Sequence, residues 1–148
     1  MIGNLNGSAS PKVKIELYGV FGKPQSFDAI IDTGFTGSIS MPIIKALPLG
    51  LTLFSTAVFT LADNSKENTF LCFGMAKIEN QEQSIVISLS KGNDVLIGTE
   101  FLKVFGIKLH LDYINSTYAL DVNKPTPVLL PQTESPSSPT EDQPSVAG

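Results

Sequence analysis

The run Ile30-Ile31-Asp32-Thr33-Gly34-Phe35-Thr36-Gly37 begins as apolar strand and ends in turn residues. Its approach, Ser26-Phe27-Asp28-Ala29, continues into the two isoleucines as a strand whose end is apolar on both faces, the pattern of a strand buried on both sides. Asp32 stands where that strand stops. Gly34 and Gly37 let the backbone bend close to a side chain there, so the Asp32 carboxylate is directed rather than merely solvated. By itself an Asp-Thr-Gly is also ordinary turn chemistry closed by an Asx hydrogen bond, and its meaning depends on the surrounding chain.

Working outward, short runs of β-branched and aromatic residues recur between Gly, Pro, Asn and Asp turns. Lys12–Tyr18 alternates polar and apolar residues, as a strand with one wet face does. Gly22-Lys23-Pro24 turns the chain into the strand that ends at Ile31. Ala57–Leu61, the turn residues Asp63-Asn64-Ser65, and Thr69–Phe73 form a long hairpin. Gln83–Leu89 and Ile107–Asp112 alternate again, and Tyr118–Val122 closes the folded part. Helix is confined to a short turn over Pro42–Leu47 and to Thr99–Phe105, where Thr99 is expected to cap the first amides. The expected fold is all-β: a small closed barrel with one or two short helices. Residues 1–11 read as an N-terminal extension, 12–122 as one domain, and 123–148 as a disordered tail rich in Pro, Ser and Thr.

Composition removes several classes of function. The chain has 148 residues and is 42% hydrophobic, enough apolar material for one core. Its basic residues are all lysines, and the formal net charge is −4. That argues against a nucleic-acid groove built on arginine forks. Apolar stretches are interrupted by Lys, Pro or Gly well short of the roughly 20 residues of a membrane span. The first ten residues lack the basic start and apolar run of a secretory signal, so a cytoplasmic protein is expected. Cys72 and His110 are each the only residue of their kind, which excludes a Cys/His metal cluster and leaves little Ser-His or Cys-His chemistry. No metal and no cofactor are expected. Cys72 reads as a small buried hydrophobe, and His110, between Leu109 and Leu111, as a solvent-facing residue.

After the Asp-Thr-Gly loop comes the hairpin tipped by Asp63-Asn64-Ser65, then Leu96-Ile97-Gly98 leading into a helix that begins Thr99-Glu100-Phe101-Leu102. This order resembles the retropepsin-like aspartic proteases, in particular their small single-domain members, over residues 12–122. The resemblance implies an aspartic endopeptidase that hydrolyses peptide or protein substrates, with Asp32, Thr33 and Gly34 as its catalytic loop. Thr33 would reach the partner's loop and Gly34 would give its amide to the carboxylate. Leu96, Ile97 and Gly98 would pack behind that loop. Asp63, Asn64 and Ser65 would form a flap tip over substrate, and Phe35 and Ile97 would line side-chain pockets.

A carboxylate dyad needs one ionised group to activate water and one protonated group to bind the substrate carbonyl. The chain holds a single Asp-Thr-Gly, so the expected active species is a homodimer whose two Asp32 carboxylates share one proton and titrate as a unit. Three residues depart from the family's pattern. Phe35 replaces the small Ser or Ala after Asp-Thr-Gly and offers no hydroxyl, which predicts a pH optimum nearer neutral than pepsin's. Thr99 stands where retroviral enzymes carry Arg, so the contacts between subunits differ. The hairpin has one nearby glycine, Gly74, where the retroviral flap has several. The competing reading keeps the fold without the chemistry, as a dimerisation or peptide-binding module in which Asp32 serves loop structure.

Overall fold

The structure, a computed structural model, describes residues 1–5 and 10–122; the expected disordered tail at 123–148 lies outside the described residues. Among the described residues, ten strands are joined by two short helices. They run β1 (Ile2–Asn4), β2 (Lys12–Tyr18), β3 (Gln25–Ile31), β4 (Ile39–Pro42), α1 (Ile43–Ala46), β5 (Thr52–Thr60), β6 (Lys66–Ile78), β7 (Gln81–Ser90), β8 (Val95–Ile97), α2 (Thr99–Val104), β9 (Ile107–Asp112) and β10 (Thr117–Val122). A 3₁₀ turn over Leu47–Leu49 follows α1 and ends at Gly50, whose φ of 66° is the left-handed conformation that favours glycine.

Strand alternation puts the core where the sequence pattern points. On β2, Val13, Ile15 and Leu17 are buried while Lys12, Lys14 and Glu16 face outward or lie at the rim, the two-residue period of a pleated strand. The larger sheet runs β2-β3-β8-β4-β7-β6, and β6 pairs back onto β2. That last pairing closes a six-stranded barrel and leaves β5 outside the ring, held only by its hairpin partner β6. Closure satisfies the backbone groups that an open sheet edge would leave unpaired. Ile15, Leu17, Ile39, Met41, Ile87, Val95 and Ile97 fill the interior. Phe101 and Phe105, on one side of α2 and its end, cap it with rings 4.5 Å apart. Burying each such side chain stabilises the fold by about 1.5–3 kcal/mol.

A second, three-stranded sheet has the order β1-β10-β9. The N-terminal stretch expected to precede the folded part therefore contributes a strand. The Met1 amino group donates to Leu120 O at 3.2 Å, the Leu120 amide donates back to Met1 O at 2.8 Å, and Leu5 is buried.

The structure adds β4 and lengthens the hairpin to Thr52–Ile78 relative to the sequence reading. β4 is short, ends in Pro42, and is a strand because β7 and β8 flank it on either side, a tertiary cause with little local signal. The expected capping role of Thr99 is corrected: Gly98 occupies the cap position, no side chain caps the helix, and the Thr99 amide donates to Phe35 O at 2.9 Å. Backbone of the Asp32 loop has taken the place of a side-chain cap.

Candidate active site

β3 delivers Asp32 to the end of the barrel. The Asp32 amide donates to Ile97 O at 2.9 Å, continuing the parallel pairing of β3 with β8 by one residue. The chain then turns back on itself as the Phe35 amide donates to Asp32 O at 3.1 Å. The Gly34 amide donates to Asp32 Oδ1 at 2.9 Å. A Cβ at Gly34 would lie 3.2 Å from that oxygen, so glycine gives the carboxylate its closest backbone approach. Residues 35–38 are stitched to the start of α2 by three bonds: Gly98 N–H to Ser38 O, Thr99 N–H to Phe35 O and Glu100 N–H to Gly37 O, at 2.9–3.2 Å. Two adjacent loops thus fix one carboxylate in place. This is the preorganisation a catalytic group requires.

Phe35 is part of that construction. A Cβ on Gly37 would come within 2.5 Å of its ring, and one on Gly98 within 2.7 Å of the ring and 2.1 Å of Gly37 O. The two glycines exist as the seat of the ring and of the loop backbone.

Asp32, Gly34, Phe35 and Thr36 form one wall of a cleft of about 520 Å³. The β5–β6 hairpin contributes Phe59–Ala62, Glu67 and Thr69, and Ser40, Ser88–Ser90 and Leu96 complete the lining. The Thr69 hydroxyl donates to Leu89 O, tying the root of the hairpin to β7 beneath it.

The sequence-predicted residues fall in three places. Asp32, Gly34 and Phe35 line the cleft. Thr33 is exposed beside it and borders a second hollow, with Leu109, Leu111 and Tyr113 opposite. Asp63, Asn64 and Ser65 are the hairpin turn itself: the Ser65 amide and hydroxyl both donate to Asp63 Oδ1, at 2.9 and 2.5 Å, and Asn64 has a φ of 67°. These bonds hold the Asp63 carboxyl below its ordinary value, the Ser65 hydroxyl being the larger cause. The hairpin residues that line the cleft are instead Phe59–Ala62 before the turn and Glu67 and Thr69 after it.

Ile97 departs from its expected place. It is 0% exposed in the barrel core, and its neighbour Leu96 faces the cleft, because successive residues of β8 point to opposite sides. Sequence reasoning also missed Phe59, Thr69 and Ser88. Only the alternation of β5 to β7, read together with the closure of the barrel, could have indicated them. His110 is exposed, and Cys72 is buried, with its thiol pushed up by desolvation. Among the described residues no group of three or more His, Cys, Asp or Glu is arranged to hold a metal ion, and no helix is long and apolar enough to cross a membrane.

Among solved structures, the chain is similar to the EIAV protease complexed with the inhibitor HBY-793, with a TM-score of 0.54 at 14% identity over 72% of this chain and 97% of that one. It is also similar to a retropepsin-like aspartic protease from Rickettsia conorii, with a TM-score of 0.54 at 15% identity over 81% of this chain and 88% of that one. The chain has a retropepsin-like fold. No family model matches the sequence, and comparison with curated proteins finds no match. At these identities the likeness is one of fold, and what the site does has to be argued from its geometry.

Proposed function

We propose that this protein is an aspartic endopeptidase acting as a homodimer, with Asp32 of each subunit holding one water between them. The observation that carries the reading is the Asp32 carboxylate, fixed by the Gly34 amide and open to a cleft roofed by the β5–β6 hairpin. The fold it sits in is shared with aspartic proteases. In the reaction, the ionised carboxylate takes a proton from the water as its oxygen attacks the scissile carbonyl carbon. The protonated partner hydrogen-bonds the carbonyl oxygen. The proton is then passed to the leaving nitrogen as the C–N bond breaks. Water is the only co-reactant. The hairpin acts as a flap, and its strands hold the peptide by backbone bonds.

Glu67 also lines the cleft, but the chain carries a single Asp-Thr-Gly loop, so a dyad built from two such loops needs a second copy. The surface beside Asp32 supports that partner. Leu111, near the end of β9, is exposed, as are Tyr113 at 69% and Ile114 at 94%, on the β9–β10 turn that Asp112 braces by accepting from the amides of Ile114 and Asn115. Among the described residues β9 pairs only with β10, so its outer edge is open next to Thr33. A two-fold pairing there buries this apolar group and sets the Thr33 hydroxyls toward the opposite loops.

Cleavage of a fluorogenic peptide library by the full chain, lost in Asp32→Asn without loss of the dimer, is the expected result. Equal inertness of both proteins, with peptide binding retained, would instead favour the module that keeps the fold and lacks the chemistry.

A further inference from the structure

A groove of about 320 Å³ runs between the β5–β6 hairpin and α1 with its following turn. Glu67 and Thr69 of β6 line the cleft, so Phe70 and Cys72, at the other parity of the strand, belong to the face turned away from it. The groove and the cleft share only Leu89. Every residue lining the groove is apolar, a glycine or a cysteine, and Leu47, Leu53 and Phe70 are 71%, 58% and 48% exposed around it. A monomeric domain seldom leaves such a surface uncovered. Charge is one-sided here too. From Thr33 to Ala62 the chain carries one charged residue, Lys45 on α1, whose Nζ donates to Asn93 O at 3.1 Å and pairs with no acid among the described residues. Two residues beyond Leu89 stands Lys91, 83% exposed, with Nζ 3.7 Å from Glu67 Oε1.

We propose that this groove is the docking site of the chain's own segment Pro127-Val128-Leu129-Leu130-Pro131. Of the residues that follow Val122, this is the one run of three aliphatic side chains. From Val122 to Leu130 the backbone can extend about 25 Å, against a radius of gyration of roughly 13 Å for a domain of this size. Proline on each side fixes its own φ and restricts the residue ahead of it to extended backbone, so docking orders less free chain than an unconstrained segment would. Beyond Lys124 every charge that follows is negative: Glu134, Glu141 and Asp142. The first comes three residues after the segment, opposite in sign to Lys45 and Lys91 at the rim of the groove. Seated there, the leucines cover Leu47, Leu53 and Phe70 and tie α1 to β5, a strand that among the described residues pairs only with β6.

The test uses the full chain and its single native thiol, Cys72, which lines the groove. Leu129→Cys puts a second thiol in the segment, and Ser138→Cys puts one beyond it as the control. Each is oxidised with glutathione disulfide, and the disulfide to Cys72 is followed by intact mass. Leu129→Cys is expected to form it at least about tenfold faster than Ser138→Cys, because docking raises the local concentration of that thiol. Adding Phe70→Asp to Leu129→Cys should bring the rate down to the control's. A bond within one chain and a bond between two chains both support the proposal, and the mass of the product tells which copy supplies the segment. A second measurement leaves the groove unaltered: Leu129→Ser with Leu130→Ser should raise the rate at which Cys72 reacts with a maleimide several-fold over the wild type. Equal crosslinking from both positions, a rate indifferent to Phe70→Asp, or an unchanged maleimide reaction overturns the proposal. So does a wild-type dimer that Phe70→Asp turns to monomer in sedimentation, which gives the groove to a second copy. Binding to vesicles of phosphatidylcholine and phosphatidylserine, lost in Phe70→Asp and kept in the double serine variant, overturns it in favour of a lipid surface.

Discussion

Gly98 and Gly37 look interchangeable in the sequence, yet what each touches differs. A Cβ on Gly98 would strike backbone, the carbonyl oxygens of Gly37 and Phe35 at 2.1 and 2.5 Å, whereas one on Gly37 would strike the end of the Phe35 ring. Backbone cannot yield as a side chain can. Gly98→Ala is therefore expected to lower stability by about 2–3 kcal/mol, read as a shift in urea midpoint. Gly37→Ala should cost less, and adding Phe35→Ala should recover most of that cost. Equal losses at the two glycines, with no recovery in the double variant, would mean the ring is not seated there. At this scale the sequence singles out Asp32 as the candidate for the proposed chemistry, since it ends an apolar strand in a glycine turn. It does not show which of Leu96 and Ile97 faces the cleft, because pleat direction is set by how β8 packs between β3 and β4. Truncating the buried one, Ile97→Ala, should cost about 2–5 kcal/mol of stability, while Leu96→Ala should act mainly on peptide cleavage.

Of the two hairpin strands, β6 belongs to the barrel, whereas β5 is held by the turn and by its pairing with β6. β5 is exposed along almost its whole length, and among the described residues its only strand partner is β6. The Asp63 turn that joins them is stabilised by two bonds to the ionised carboxylate. Because Asp63 has its folded value depressed, that contribution is present above the ordinary carboxylate range and is lost as pH falls through the lowered value. The Ser65 amide resonance is expected to titrate with a midpoint below that of Asp in an unstructured peptide, and Asp63→Ala should abolish the transition. A midpoint at the ordinary value would remove Asp63 as the brace of the turn. The hairpin, β2, β3 and both helices were legible from alternation and turn residues. β1 and β4 were not: three or four residues carry too little periodic signal, and both are strands only because distant partners, β10 for one and β7 with β8 for the other, complete them.

For the whole molecule, the account rests on pairing. A closed barrel has few free edges, and here the edge of β9, open among the described residues, lies with the exposed Leu111 and Tyr113 beside the loop that carries Asp32, with exposed Ile114 following on the turn. Tyr113→Asp combined with Ile114→Asp should leave the barrel folded, by circular dichroism and thermal unfolding, yet shift sedimentation to the monomer and remove cleavage. A double variant that stays dimeric would move the interface elsewhere. The claim that two chains share one catalytic water is tested most directly by measuring peptide cleavage at fixed wild-type concentration while Asp32→Asn chains are added in excess. The account predicts that the wild-type rate falls toward zero as wild-type chains are drawn into mixed pairs holding one competent carboxylate. A rate unaffected by the added chains, or cleavage by Asp32→Asn alone, would contradict it.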